Sequence, residues 1–136
     1  RPGQSPIWYV YRDGVFYMST VAGSPKAKAL ARDPRVCLTI QDEAAPYRAA
    51  IFDGEVELSP LAQDGPVAGI APRYLGKFGA AAYDKMTAAT YDRTGLTLIA
   101  LRPASVRGFD NTRGLGLGNT LFLKLRALLP IPRAWL

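Results

Sequence analysis

The sequence predicts a mainly β fold with minor helix, built as a small closed or split antiparallel barrel. Three features point there. Two β-rich runs are joined by Asp13-Gly14. More β-rich runs follow at 36–41, 47–58 and 96–109, set apart by turn residues and by one helical insert. A sheet of such strands loses its exposed edges most simply by closing on itself.

Taken in order, residues 7–12 form a strand rich in Ile, Trp, Tyr and Val, and 15–20 form a second. The Asp-Gly pair between them predicts a two-residue hairpin with a type I′ turn. Val21-Ala22-Gly23 is a loop. Ser24 suits an N-cap and Pro25 the first helical position, so a short helix runs to about Arg32 and is closed by Asp33-Pro34. Residues 36–41 are the third strand and 42–46 a turn. Residues 47–52 and 55–58 are strand-like, and Asp53-Gly54 between them is either a second hairpin turn or a bulge in one long bent strand. A short helix is expected over 61–70, broken by Gly and Pro, and an alanine-rich one over 79–91. Residues 96–101 return to strand, Pro103 breaks it, and 106–109 form a last short strand.

A domain over 1–110 is therefore followed by an extension over 111–136. The extension opens on Gly114-Leu115-Gly116-Leu117-Gly118, whose spacing is not that of a dinucleotide-binding loop. Residues 120–129 are nearly all apolar except Lys124 and Arg126, a run too short to span a bilayer. Packing on a partner subunit, covering an open barrel or resting on a membrane surface are its candidate roles, with protein packing the default.

At 136 residues the chain is long enough for a real core, and its 49% apolar and 21% charged residues are ordinary for a globular domain. The net charge of +6 favours anionic partners. The basic residues are dispersed, which suits a small anionic ligand at least as well as a polymer. The absence of histidine excludes His-based triads and His-ligated metals, so no metal is expected. One cysteine makes no internal disulfide and fits a cytoplasmic protein. The chain begins at Arg1, and sequence upstream of it is expected.

The chemically telling stretch is Ser24-Pro25-Lys26-Ala27-Lys28. Lys26 and Lys28 fall at the start of a helix, the end whose dipole is positive and attracts acids. No acid lies between Gly14 and Arg32 to relieve them. A bound anion resolves the conflict, since main-chain N–H groups, a hydroxyl and two ammonium groups together describe a phosphate site. The alternative is a surface helix with two solvated lysines. Cys37, inside Val36-Cys37-Leu38, reads as a small buried hydrophobe, and Asp42-Glu43 as a solvated turn. Tyr9, Tyr11, Tyr17 and Arg12 offer another class of function, a non-catalytic single-stranded nucleic-acid binder that stacks bases on aromatic rings.

Several segments together resemble a known family. Pro6-Ile7-Trp8-Tyr9, Asp13-Gly14, Tyr17-Met18-Ser19-Thr20, Gly23 to Lys28, Leu30 and Arg32-Asp33-Pro34-Arg35-Val36 are similar to the flavin and deazaflavin oxidoreductases, which include the pyridoxamine-phosphate-oxidase-like split barrels. Tyr47, Gly54, Arg73-Tyr74-Leu75-Gly76 and Pro103 to Asp110 resemble the branch that uses coenzyme F-420, an 8-hydroxy-5-deazaflavin. The resemblance implies a six-stranded FMN-binding-type split barrel, its first strand expected upstream of Arg1. It also implies a homodimer with the cofactor at the subunit interface. Ser24, Lys26 and Lys28 would hold the cofactor phosphate, Ser19 and Thr20 would line the same groove, and Trp8 would lie near the ring system; core packing is the other role open to Trp8. Many family members carry Arg at the position of Lys28, whose ammonium lacks the bidentate fork. The implied activity is hydride transfer from the reduced deazaflavin to an electron-poor double bond of a small organic substrate. An FMN-dependent oxidase or reductase of the same fold, and a carrier without turnover, are the alternatives. Tyr47, Arg48 and Tyr83 are polar candidates near the chemistry, with none assigned as proton donor.

Overall fold

The computed structural model describes residues 3–62, 65–112, 116, 118 and 121, with only the backbone of 92–94. Five antiparallel strands and two helices make up the described chain: β1 (Tyr9–Arg12), β2 (Val15–Val21), α1 (Pro25–Arg32), β3 (Arg35–Gln41), β4 (Arg48–Pro60), α2 (Ile70–Thr94) and β5 (Leu96–Asp110). The strands form one open sheet in the order β1-β2-β5-β4-β3. Six strands were expected; five are found among the described residues, and the sheet is a partial barrel of the split-barrel kind. No helix among the described residues is long and apolar enough to cross a membrane. The apolar run over 120–129 lies outside the described residues, apart from the exposed Leu121.

The hairpin forms as its sequence dictates. Asp13 and Gly14 both take positive φ, 50° and 79°, as a type I′ turn requires, and Arg12 pairs with Val15. From that turn the β1–β2 register follows, Tyr9 opposite Met18 and Tyr11 opposite Phe16.

Asp53-Gly54 is not a turn. β4 runs unbroken through it for 13 residues. A Cβ at Gly54 would sit 2.7 Å from the Arg102 carbonyl oxygen and 2.9 Å from Leu101 Cδ1. The glycine is there to let β5 approach closely. Pro103 does not break β5 either, which extends for 15 residues. The β2–β5 register ends at Phe16↔Leu101, so the proline lies where that side of β5 has no ladder to lose.

The expected helix over 61–70 is absent among the described residues of that stretch. Gly65 and Pro66 leave a chain of tight turns, in which the Ala68 N–H donates to Gly65 and the Ile70 N–H to Val67. Helix begins at Ile70, nine residues before the expected start, and is interrupted at Gly76, whose φ of 67° is not helical.

The chain divides into two compact units, Arg1–Val36 with Gly54–Ala104, and Cys37–Asp53 with Ser105–Leu136. The first holds the core, where Phe16, Met18, Ile99 and Leu101 are buried on one face of β2 and β5. In the second, Asp53 accepts from Arg107 Nη2 at 2.8 Å and Asp42 from Arg48 Nε at 2.7 Å. Cys37 is exposed, against the expectation of burial. Strand alternation puts Val36 and Leu38 inward and Cys37 outward, beside the Asp53 carboxyl, which the Arg107 hydrogen bond chiefly, and the Cys37 thiol to a lesser degree, hold below its usual range.

On α2, Tyr83 and Tyr91 share a 2.7 Å hydroxyl–hydroxyl hydrogen bond. That bond, with burial and the neighbouring Asp84, pushes the Tyr83 hydroxyl up to about 12. Its contribution to stability is complete below the unfolded tyrosine value and is lost as pH rises toward 12. Ultraviolet titration is expected to show one late-ionising tyrosine that Tyr83→Phe removes. Survival of that late component in the variant would contradict the assignment.

Candidate functional site

The start of α1 is built by Ser24. Its Oγ accepts the Ala27 N–H at 3.2 Å and its carbonyl accepts the Lys28 N–H at 2.9 Å. Pro25 has no N–H to offer, which leaves the Lys26 amide outside this capping scheme. Thr20 Oγ1 lies 3.2 Å from Ser24 Oγ, so the end of β2 contributes a second hydroxyl. The first turn holds no acidic residue. Hydroxyls, one main-chain donor and the positive helix end meet here, and this donor set fits a phosphate ester.

The two lysines do not grip one point. They sit two residues apart, which on a helix is about 200° of rotation. Lys26 turns toward the segment before β1, and its Nζ donates to the Pro6 carbonyl at 3.2 Å; partial burial lowers its pKa. Lys28 is exposed and lines a shallow depression of about 550 Å³ with Ala22, Gly23, Ala31, Leu96 and Thr97. Lys28 is the one charged residue in that lining. Neither lysine is in ion-pair contact with a carboxylate among the described residues.

Ser19 and Thr20 are adjacent on β2 and so project to opposite faces of the sheet. Thr20 joins Ser24. Ser19, opposite Leu98, shares the face of Tyr17, so strand alternation corrects the expectation that both line one groove. The aromatic set proposed for nucleic acid divides in the same way. Tyr9 and Tyr11 pack against Phe16 at 5.5 and 4.6 Å, while Tyr17 pairs with Val10 on the other face.

Trp8 is half-buried and stacked on Tyr74, with ring centroids 5.2 Å apart and planes 10° from parallel, and Tyr83 tilts against it at 5.2 Å. The Tyr9 N–H donates to the Tyr74 hydroxyl at 3.2 Å, and the Arg73 guanidinium lies 5.4 Å from the Tyr9 ring centroid. Arg73 and Tyr74 thus fasten the segment that carries Trp8. They were legible only as part of a motif, because the contact spans 65 residues of sequence.

Residues 1–110 match the pyridoxamine 5'-phosphate oxidase family. The chain belongs to that family. Membership makes it a flavin-type split barrel in fold. A conserved hypothetical protein of Mycobacterium tuberculosis is similar in structure, with a TM-score of 0.61 and 25% identity over 85% of this chain and 74% of that one. A Clostridium acetobutylicum protein described as related to general stress protein 26, of the pyridoxinephosphate oxidase family, has a TM-score of 0.51 at 13% identity, covering 76% and 67% of the two chains. No curated protein matches the sequence.

Of the other polar candidates, Arg48 and Tyr83 have side-chain partners elsewhere, and Tyr47 is bonded through its main chain. Arg48 is paired with Asp42, Tyr83 is bound to Tyr91, and Tyr47 is exposed with its carbonyl accepting from Asn111. Among the described residues no group of three or more Cys, Asp or Glu is placed to hold a metal.

Proposed function

We propose that this chain is an F-420-dependent oxidoreductase, active as a cytoplasmic homodimer, that transfers hydride to an electron-poor double bond of a small organic substrate. The observation that carries this reading is the acid-free start of α1, where Thr20, Ser24 and the Lys26 amide converge and Lys28, without an ion-pair partner among the described residues, stands at the edge of an apolar depression. These groups hold the cofactor's phosphate. When bound in its reduced form, the deazaflavin supplies the hydride. Tyr74 covers one face of Trp8 and fixes the orientation of the indole, so the segment expected beside the ring is rigid before a ligand arrives.

The deazaflavin is favoured over FMN because Arg73-Tyr74-Leu75-Gly76 resembles the F-420 branch, and Arg73 and Tyr74 are the residues that clasp the Trp8-Tyr9 segment. FMN is the second reading, supported by the family match itself. Parallel titrations followed by tryptophan fluorescence test the two. F-420 is expected to saturate at micromolar concentration and FMN to bind more weakly. A yellow flavin retained through purification, or tighter binding of FMN, would overturn the choice of cofactor. Tight F-420 binding with no turnover of any enone in a panel would make the chain a carrier.

A further inference from the structure

We propose that Trp8, Tyr83 and Tyr91 form a one-electron relay: when Trp8 is oxidised, Tyr83 returns the electron, and its phenolic proton leaves through the Tyr91 hydroxyl. The relay depends on no cofactor identity, only on contacts within one compact unit of the chain. The Tyr83 ring lies 5.2 Å from the Trp8 indole between centroids and is tilted by 51° to it. That is direct ring contact, across which an electron passes between two π systems without an intermediate.

The two phenols that touch the indole differ in where their protons can go. The Tyr83 and Tyr91 hydroxyl oxygens are 2.7 Å apart, the usual length of an O–H···O bond, so the proton that Tyr83 must shed has an acceptor in reach. Tyr74 is stacked on the indole at the same centroid distance, but its hydroxyl accepts the Tyr9 N–H at 3.2 Å and reaches the Tyr9 carbonyl only at 3.5 Å. A main-chain carbonyl passes no proton onward, which makes Tyr74 the poorer donor. The Tyr91 hydrogen bond and burial keep the Tyr83 hydroxyl protonated up to about 12, so at neutral pH its oxidation moves a proton with the electron.

A one-electron oxidant of the oxygen-radical class takes an electron from the indole, is itself reduced, and leaves the Trp8 radical cation. Tyr83 gives that cation one electron, which restores the neutral indole. The Tyr83 proton moves to the Tyr91 oxygen as the Tyr91 proton passes to water, and Tyr83 becomes a neutral phenoxyl radical. A soluble thiolate then reduces the phenoxyl, which takes a proton back by the same route. The indole that the reading above places beside the cofactor is thereby repaired rather than consumed.

Pulse radiolysis of the full chain tests this, with azide radical as the oxidant because it attacks indole ahead of phenol. Trp135→Phe is present in every sample, so that Trp8 is the one tryptophan. The indole radical absorption is expected to decay as a phenoxyl absorption rises, at a first-order rate that is independent of protein concentration and slower in deuterium oxide. Tyr83→Phe keeps a ring against the indole without the O–H and is expected to slow the decay by about tenfold or more. Tyr91→Phe removes the proton's exit and is expected to slow it as well, by less. Tyr74→Phe is expected to leave the rate as it is. Far-UV circular dichroism and the tryptophan emission spectrum check that each variant is folded with Trp8 still packed. A decay rate that rises with protein concentration, a folded Tyr83→Phe or Tyr91→Phe variant that decays as the parent does, or loss of transfer in Tyr74→Phe alone would overturn the relay. None of these measurements involves F-420, so the relay and the cofactor reading fail separately.

Discussion

Lys28→Glu is expected to weaken F-420 binding by about a hundredfold or more while leaving the fold as stable as before or slightly more so. A charge-assisted hydrogen bond contributes about 1.5–3 kcal/mol, and reversal adds repulsion to that loss, which together set the hundredfold scale. The stability sign runs the other way. Lys28 is exposed, makes no ion pair among the described residues, and stands near the positive end of α1. An acid there gains about 0.3–1 kcal/mol from the helix dipole at the surface. A lysine kept where glutamate would be better for the helix is what a phosphate-binding role demands. Lys26→Ala is expected to reduce affinity less, by about tenfold at most, because its ammonium is already turned to the Pro6 carbonyl. Fluorescence titration and thermal melting read both effects. Unchanged affinity in Lys28→Glu would remove the lysine from the site.

Leu101→Ala is expected to cost about 3.5–5 kcal/mol of folding stability, within the range of roughly 2–5 kcal/mol seen for buried leucines. Leu101 has 0% exposure, pairs with Phe16 across β5 and β2, and reaches the space above Gly54. The close approach of β4 there leaves little room for the backbone to collapse into the cavity, so the upper half of that range applies. For a domain with about 5–15 kcal/mol in total, this is a large share. Val106, on the same strand but 61% exposed, is the control, and Val106→Ala should change stability by less than about 0.5 kcal/mol. Urea denaturation measures both. A cost under about 1 kcal/mol for Leu101→Ala would mean that this cluster is not the core.

Local rules were legible and distant ones were not. Asp13-Gly14 needs only its own positive φ values to make a hairpin, and Ser24-Pro25 needs only the next turn to start a helix; both formed where the residues placed them. Gly54 and Pro103 read as breaks, because the reason for each lies on another strand, in a close approach of β5 or in the end of the β2 ladder. The first turns of α2 were missed because Gly76 and Gly79 lower helix propensity, while Tyr74 is held by Trp8, far away in sequence. At the site, the capping of Ser24 was readable. The divergence of Lys26 and Lys28 follows from helical rotation, and the split of Ser19 from Thr20 from strand alternation. Each of these is visible in the spacing once the periods of 3.6 and 2 are applied. That Lys26 reaches Pro6 has no signal in the sequence.

F-420 dependence requires that the start of α1 receive the cofactor's phosphate. The most direct measurement is a titration of isotope-labelled protein with F-420, followed through the backbone amide resonances. Saturating shifts are expected at Lys26, Ser24, Thr20 and Lys28, with Lys26 the largest, since its N–H is the donor that Ser24 leaves for a ligand. Saturable binding that leaves these four amides unmoved and shifts resonances elsewhere would contradict that placement.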